Sequence, residues 1–164
     1  MDNAAVKNSK IQGKGVFVNR DFEIGEEIIK IDDSHTVNSE DELTDFQKQY
    51  EADWLFDIIV IMQAPEKHIN HSCDPNTYIK TINGVRRVIA MRPIVKGEEI
   101  TYDYAVNGYY DSAMKCNCGS TNCRRILNCN FFKLPKQIQM KYMPYLDQWF
   151  IERFEKELEE IRNP

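Results

Sequence analysis

Hydrophobic and polar positions change period several times along this chain, and the changes predict a mainly β domain with short helices and a helical C-terminus. Residues 1–10 are polar and predict a loose start. Ile11-Gln12-Gly13-Lys14-Gly15-Val16-Phe17-Val18 reads as a glycine turn entering a short strand, and residues 26–31 read as another. Ser39-Glu40-Asp41-Glu42 has capping-box spacing, and Leu43, Phe46 and Tyr50 recur at helical intervals. One short amphipathic helix over 39–51 is therefore expected. Residues 54–62, rich in β-branched and aromatic side chains, predict a buried strand. After a turn-rich stretch over 65–76, residues 77–82 and 85–91 flank Asn83-Gly84, a strong hairpin signal. A further strand is expected over 99–104.

Residues 16–28 and 88–100 align at a constant offset, matching Arg20 with Arg92 and Gly25-Glu26-Glu27-Ile28 with Gly97-Glu98-Glu99-Ile100. Two copies are too few for a solenoid, so the expectation is a reused strand–turn–strand unit within one β domain. Beyond Cys129 the period becomes helical over 135–142 and 144–162. Leu146, Phe150, Phe154, Leu158 and Ile161 share a stripe expected to dock on the chain's own core, with the charges over 152–160 as the solvated face.

With 164 residues the chain can bury a core, and its hydrophobic content of 42% and charged content of 29% are those of a globular protein. A net charge of −5 argues against phosphate neutralisation on nucleic acid and suits a basic peptide partner. The start shows no basic segment followed by an apolar one, and the longest apolar run, over 58–62, is too short to span a bilayer. Neither secretion nor membrane insertion is expected. The five cysteines then read as reduced thiols of an intracellular protein, in the nucleus or cytoplasm. Cys116-x-Cys118 followed by Cys123 places three thiols in a short glycine-containing loop. A structural zinc takes four ligands, and spacing leaves both Cys129 and Cys73 open as the fourth. Arg124 and Arg125 beside Cys123 are expected to offset the negative charge of such a site.

Three stretches carry chemistry: Ile69-Asn70-His71-Ser72-Cys73-Asp74-Pro75-Asn76, then Glu98-Glu99-Ile100-Thr101-Tyr102-Asp103-Tyr104, then the cysteine loop. With Gly13-Lys14-Gly15 ahead of them, they stand in the order found in SET-domain lysine methyltransferases that carry a post-SET zinc segment. The chain resembles that family over roughly residues 9 to 128. The resemblance implies a SET-type fold of several small curved sheets plus a C-terminal helical extension. It divides the chain into a catalytic domain at 1–115, a post-SET segment at 116–129 and the extension at 130–164.

It also implies S-adenosylmethionine as cofactor and one structural zinc held by Cys73, Cys116, Cys118 and Cys123. Cofactor contacts fall on Lys14, Gly15, Asn70, His71 and Tyr104, the glycines letting backbone approach closely. Tyr104 matches the active-site tyrosine, and Tyr102 a position held by phenylalanine or tyrosine. A hydroxyl at Tyr102 leaves less room for a methylated amine and points to mono- or dimethylation. A cationic methyl donor ~4 Å from the amine, at effective dielectric ~20, disfavours the ammonium by ~4 kcal/mol, so no dedicated base is required. His71 is given cofactor-site geometry without a proton-transfer role. Asp74 and Asn76 are expected to cap the turn around Pro75, and Asp103 to point away from the tyrosines.

The expected partner is a protein or peptide lysine, histone tails among the candidates. Glu98, Glu99, Asp103 and Asp111 suggest an acidic field that favours it. Trp54 stands where the family often carries a channel tyrosine, and Tyr109 or Tyr110 are candidates to compensate. Little insert separates Phe56 from Asn70, which leaves target choice to the C-terminal helices or implies a loosely selective site. The alternative class is a non-catalytic, zinc-stabilised peptide-binding relative. A zinc hydrolase is excluded for a four-thiolate site, which leaves no open coordination position.

Overall fold

A computed structural model describes residues 3–55 and 58–163, so Phe56 and Asp57 of the Trp54 segment lie outside the described residues. The strands are β1 (Ala4–Asn8), β2 (Lys14–Val18), β3 (Glu27–Lys30), β4 (Thr36–Val37), β5 (Ala52–Leu55), β6 (Ile58–Ile61), β7 (Asn70–His71), β8 (Thr77–Ile82), β9 (Val85–Ala90), β10 (Glu99–Tyr102), β11 (Tyr109–Lys115) and β12 (Ile126–Asn130). They form small sheets in the orders β1-β2-β10-β7, β3-β9-β8, β4-β6-β5 and β11-β12. The helices are α1 (Asp45–Tyr50), α2 (Lys136–Tyr142), α3 (Gln148–Arg153) and α4 (Glu155–Arg162). The mainly β architecture with a C-terminal helical extension is the one expected, and no helix among the described residues is long and apolar enough to cross a membrane.

The aligned segments explain the centre of the fold. Phe22 and Ile94 exchange backbone hydrogen bonds of 2.8 and 2.9 Å. Around them Val18 N–H donates to Glu98 O as Ala90 N–H donates to Glu26 O, and Gly97 N–H to Val18 O as Gly25 N–H to Ala90 O. The ion pairs Arg20–Glu26 and Arg92–Glu98 repeat on each side. The two copies therefore clasp each other about a local twofold. Each turn needs a left-handed residue, supplied by Gly25 at φ 83° and Gly97 at φ 87°. Val16, Val18, Phe22, Val88, Ile94 and Ile100 fill the core between them.

Other expectations change. Residues 4–8 are not loose but pair antiparallel with β2. The single helix over 39–51 is two pieces. Ser39 and Glu42 do form a capping box, but it opens only a 3₁₀ turn at Glu40–Glu42. Thr44 and Gln47 then build a second capping box that starts α1. Leu43 is buried between them, while Phe46 and Tyr50 stay exposed. The strand expected over 54–62 is instead two strands, β5 and β6, paired antiparallel. Asn83-Gly84 turns β8 into β9 with φ of 52° and 74°, as its sequence requires.

The C-terminal helix expected over 144–162 breaks at Phe154 (φ −117°, ψ 31°) into α3 and α4. The apolar stripe does dock on the chain itself, with Leu146, Phe150 and Leu158 buried alongside Ala105, Phe131 and Tyr142. Asp147 anchors this packing. Its Oδ2 accepts from the Thr81 amide (3.0 Å) and hydroxyl (2.6 Å), and its amide donates to Asn107 Oδ1 (2.7 Å). Asp147→Ala would strand the Thr81 donors in a largely buried place. It is expected to cost about 2–3 kcal/mol of stability in urea unfolding, against under 1 kcal/mol for Glu157→Ala on the solvated face.

Candidate active site and metal centre

The site grows from the parallel pairing of β7 with β10, which sets Thr101 beside Asn70 and Tyr102 beside His71. Ser72 N–H donates to Tyr102 O (3.1 Å) and continues the match. β10 ends at Tyr102 rather than Tyr104, and the chain turns so that the two phenol rings lie 4.8 Å apart. Asp103 between them is buried on the other side, as alternation predicted. The Tyr104 hydroxyl donates to Ile69 O (2.8 Å), and its amide donates to His71 Nδ1 (3.2 Å). Nδ1 of His71 is thus an acceptor, which places the ring proton on Nε2, 3.4 Å from Cys73 Sγ. Burial, against the pull of Asp103, lowers the His71 pKa to about 4, so the ring is neutral at pH 7. Burial above all raises Tyr102 and Tyr104, and both are neutral phenols rather than bases.

A cavity of about 540 Å³ opens beside these rings. It runs from Gly13, Lys14, Asn70 and His71 to Tyr102, Tyr104 and Tyr110, with Trp54, Cys129 and Trp149 also on its wall. All the residues expected to meet the cofactor except Gly15 border it directly. Gly15 has a different reason to lack a side chain: a Cβ there would lie 2.1 Å from Glu99 Oε1. Glu99 accepts from the Ser9 hydroxyl (2.8 and 2.9 Å) and from Asn70 Nδ2 (2.8 Å). Asn70 Nδ2 also reaches Lys14 O (2.9 Å), so Asn70 and Glu99 together hold the glycine turn at the cavity edge. Sequence reasoning missed Glu99 in this role because its partners are remote in the chain.

Of the four acids expected to form an acidic field, three are matched by cations, while Glu99 is held by Ser9 and Asn70. Glu98 is bound by Arg92 and Asn76, Asp103 by Arg124, and Asp111 by Lys133 and Asn130. Asn76 does not cap its own turn. It ties that turn to β10, donating to Glu99 O (2.9 Å) and accepting from Thr101 N–H (2.8 Å). The Trp54 indole N–H donates to Glu40 Oε1 (3.1 Å) and so offers no donor to the cavity. A cluster not anticipated sits on the same wall, where Arg86 binds Asp53 (2.5 Å) and Asp33 (2.6 Å).

Between the alternatives for a fourth thiol, geometry brings Cys73 to the loop. The Sγ atoms of Cys73, Cys116, Cys118 and Cys123 lie within 4.8 Å of one another, and Cys129 is outside this group. Cys73 and Cys116 are 3.8 Å apart, which is also about the edge of a tetrahedron with ~2.3 Å zinc–sulfur bonds. The donor set therefore fits a structural zinc. Burial raises Cys73 and Cys116, whereas at Cys118 burial is outweighed by hydrogen bonds from Cys73, Ser120 and Cys116 and the thiol falls to about 6. Charge relief comes from backbone N–H groups and, at Cys73, from the charge of Arg124 as expected. Arg124 N–H faces Cys73 Sγ and Arg125 N–H faces Cys123 Sγ, each at 3.4 Å. The Arg124 guanidinium also binds Asp103 through two bonds of 2.7 and 2.8 Å. Purified protein is expected to carry close to one zinc per chain by elemental analysis. Cys73→Ser should lose it and Cys129→Ser should keep it; the opposite pattern would reverse the assignment.

Residues 13–105 match the SET domain family model. The chain is 35% identical over 143 residues to the histone-lysine N-methyltransferase trithorax of Drosophila virilis, which covers 77% of this chain and 4% of that protein. It is 33% identical over 135 residues to the H3 lysine-36 specific histone-lysine N-methyltransferase of Candida glabrata, covering 74% of this chain and 19% of that protein. It thus spans only a small part of these relatives' length. A crystal structure of a Plasmodium falciparum protein assigned to the histone methyltransferases shares the fold, with TM-score 0.54 and 22% identity over 62% of this chain and 92% of that one. A family match over most of the β core, laid on a site with the same order of motifs, places this chain in the SET-domain family.

Proposed function

We propose that this chain is an S-adenosylmethionine-dependent protein-lysine N-methyltransferase. Histone tails or another lysine-rich protein would be the acceptor, mono- and dimethylation the products, and the nucleus or cytoplasm the place of action. The observation that carries this reading is the pair of half-buried, neutral phenols, Tyr102 and Tyr104, on a cavity whose other end is the Gly13-Lys14 turn and Asn70-His71. Similarity to histone-lysine N-methyltransferases supports the same class. We keep the division into catalytic domain (1–115), post-SET segment (116–129) and extension (130–164).

S-adenosylmethionine, when bound, supplies an electrophilic methyl group. Lys14, Asn70 and His71 would hold it, with Tyr104 at the reacting end and Gly15 one residue behind the cavity edge, where it makes room for Glu99. The chain's own work is alignment. Tyr104 spends its hydroxyl proton on Ile69 O, so its oxygen meets the cavity as an acceptor fixed in direction. Among the described residues the Tyr102 hydroxyl has no hydrogen-bond partner, so it is free to hold the acceptor amine or a water. Neither phenol needs to ionise. The proton of the incoming ammonium leaves by water before transfer, and the walls then hold nitrogen and methyl in line. A zinc in the cysteine cluster would be structural and stay outside the chemistry.

Tyr104→Phe is expected to lower kcat at least about 100-fold on core histones, with S-adenosylhomocysteine affinity within about threefold of the unaltered protein. An unchanged rate would refute the role. Tyr102→Phe is expected to raise the share of higher methylated products in mass spectra. Efficient trimethylation by the unaltered chain would contradict the assignment of Tyr102. Cofactor binding without transfer to any acceptor would favour the non-catalytic alternative.

A further inference from the structure

Trp54 leaves the acceptor channel one polar group short. Its indole N–H is committed to Glu40, and its ring is 5.4 Å from that of Tyr110. Tyr109 and Tyr110 are neighbours on β11, yet they serve different places. Tyr109 packs on Trp149 and Phe154 in the C-terminal core. Tyr110 packs instead on the group of Cys73, Cys116, Leu127 and Cys129 and borders the cavity with Tyr102 and Tyr104. The break in register between Tyr109 and Ala113 accompanies this split.

Cys129, 3% exposed, is the cysteine left over from the metal cluster, and its thiol meets the hydroxyls of both Ser112 and Tyr110. Its strand is held close: a Cβ on Gly108 would come within 2.1 Å of Cys129 O. Tyr110 thus reaches the cavity from a strand whose partner carries Cys129 beneath it.

We propose that Tyr110 takes the channel place vacated at position 54: its ring closes the acceptor cavity against Trp54, and its hydroxyl, steered by Cys129, limits the room for a methylated amine. The proposal rests on the lysine-methyltransferase reading. Tyr110 is then a specificity-determining wall residue, and Cys129 a positioning residue that acts through it. The hairpin that carries the cysteine loop would thereby help set how many methyl groups are added.

The test uses the full chain, S-adenosylmethionine and recombinant core histones, with rates and product masses recorded together. Tyr110→Phe is expected to lower kcat about tenfold and to shift products towards higher methylation, with zinc content unchanged. Adding Trp54→Tyr to that variant should bring kcat back to within about threefold of the unaltered protein. Cys129→Val should reproduce the product shift and Cys129→Ser should not, a distinction that simple loss of packing would not make. Unaltered rate and products in Tyr110→Phe, or a double variant no better than the single one, would overturn the proposal while leaving the methyltransferase reading in place. An unaltered chain silent on histones would instead strike the functional reading, and the proposal would fall with it.

Discussion

One turn, Ile69 to Cys73, belongs at once to the phenol site and to the cysteine cluster, and the two cannot be moved apart. Ile69 O fixes the Tyr104 hydroxyl, His71 receives the Tyr104 amide, and Cys73 faces the three thiols of the late loop. The Asp103–Arg124 pair fastens the same union from behind. Asp103 is 1% exposed and sits between the two tyrosines; Arg124 follows the last cysteine of the loop. Removing one partner of a buried pair costs about 3–5 kcal/mol because the other charge is left unmatched. The pair is better understood as a register pin than as a source of net stability.

The C-terminal extension completes the union. Tyr142 lies 1% exposed beneath the cluster, with its hydroxyl 3.4 Å from Cys73 O. Asp147 locks the α2–α3 connection onto β8, and Trp149 reaches the cavity wall. An element expected only to cover core therefore also shapes the space in which an acceptor would sit.

Much of this was legible where the signal is local. Asn83-Gly84 dictates its hairpin through backbone conformation, Ser39 and Glu42 do form a box, and cysteine spacing marks the loop. The tyrosine pair was readable through its motif, and the repeated turn unit through its alignment. What escaped depends on partners distant in sequence. Nothing near Gly15 announces that Glu99 fills its side-chain space. Periodicity merged two helices because Leu43, Phe46 and Tyr50 keep helical spacing across a break, although Thr44 and Gln47 carried the second capping signal. Tyr109 and Tyr110 could not be told apart, since neighbours on a strand face opposite sides and nothing local says which side meets the cavity. The acidic field is weakened for a related reason: three charges that look free in a sequence are spent on Arg92, Arg124 and Lys133 in the fold.

If a single turn carries both sites, loading one must organise the other. Calorimetric titration of S-adenosylhomocysteine into metal-loaded protein, and into the same protein stripped of metal under reducing conditions, measures this coupling directly. Affinity at least about tenfold weaker after stripping, restored on adding zinc, is the outcome expected of joined sites. Equal affinity in both states would mean that the phenol site and the thiol cluster are independent, and would contradict a turn shared between them.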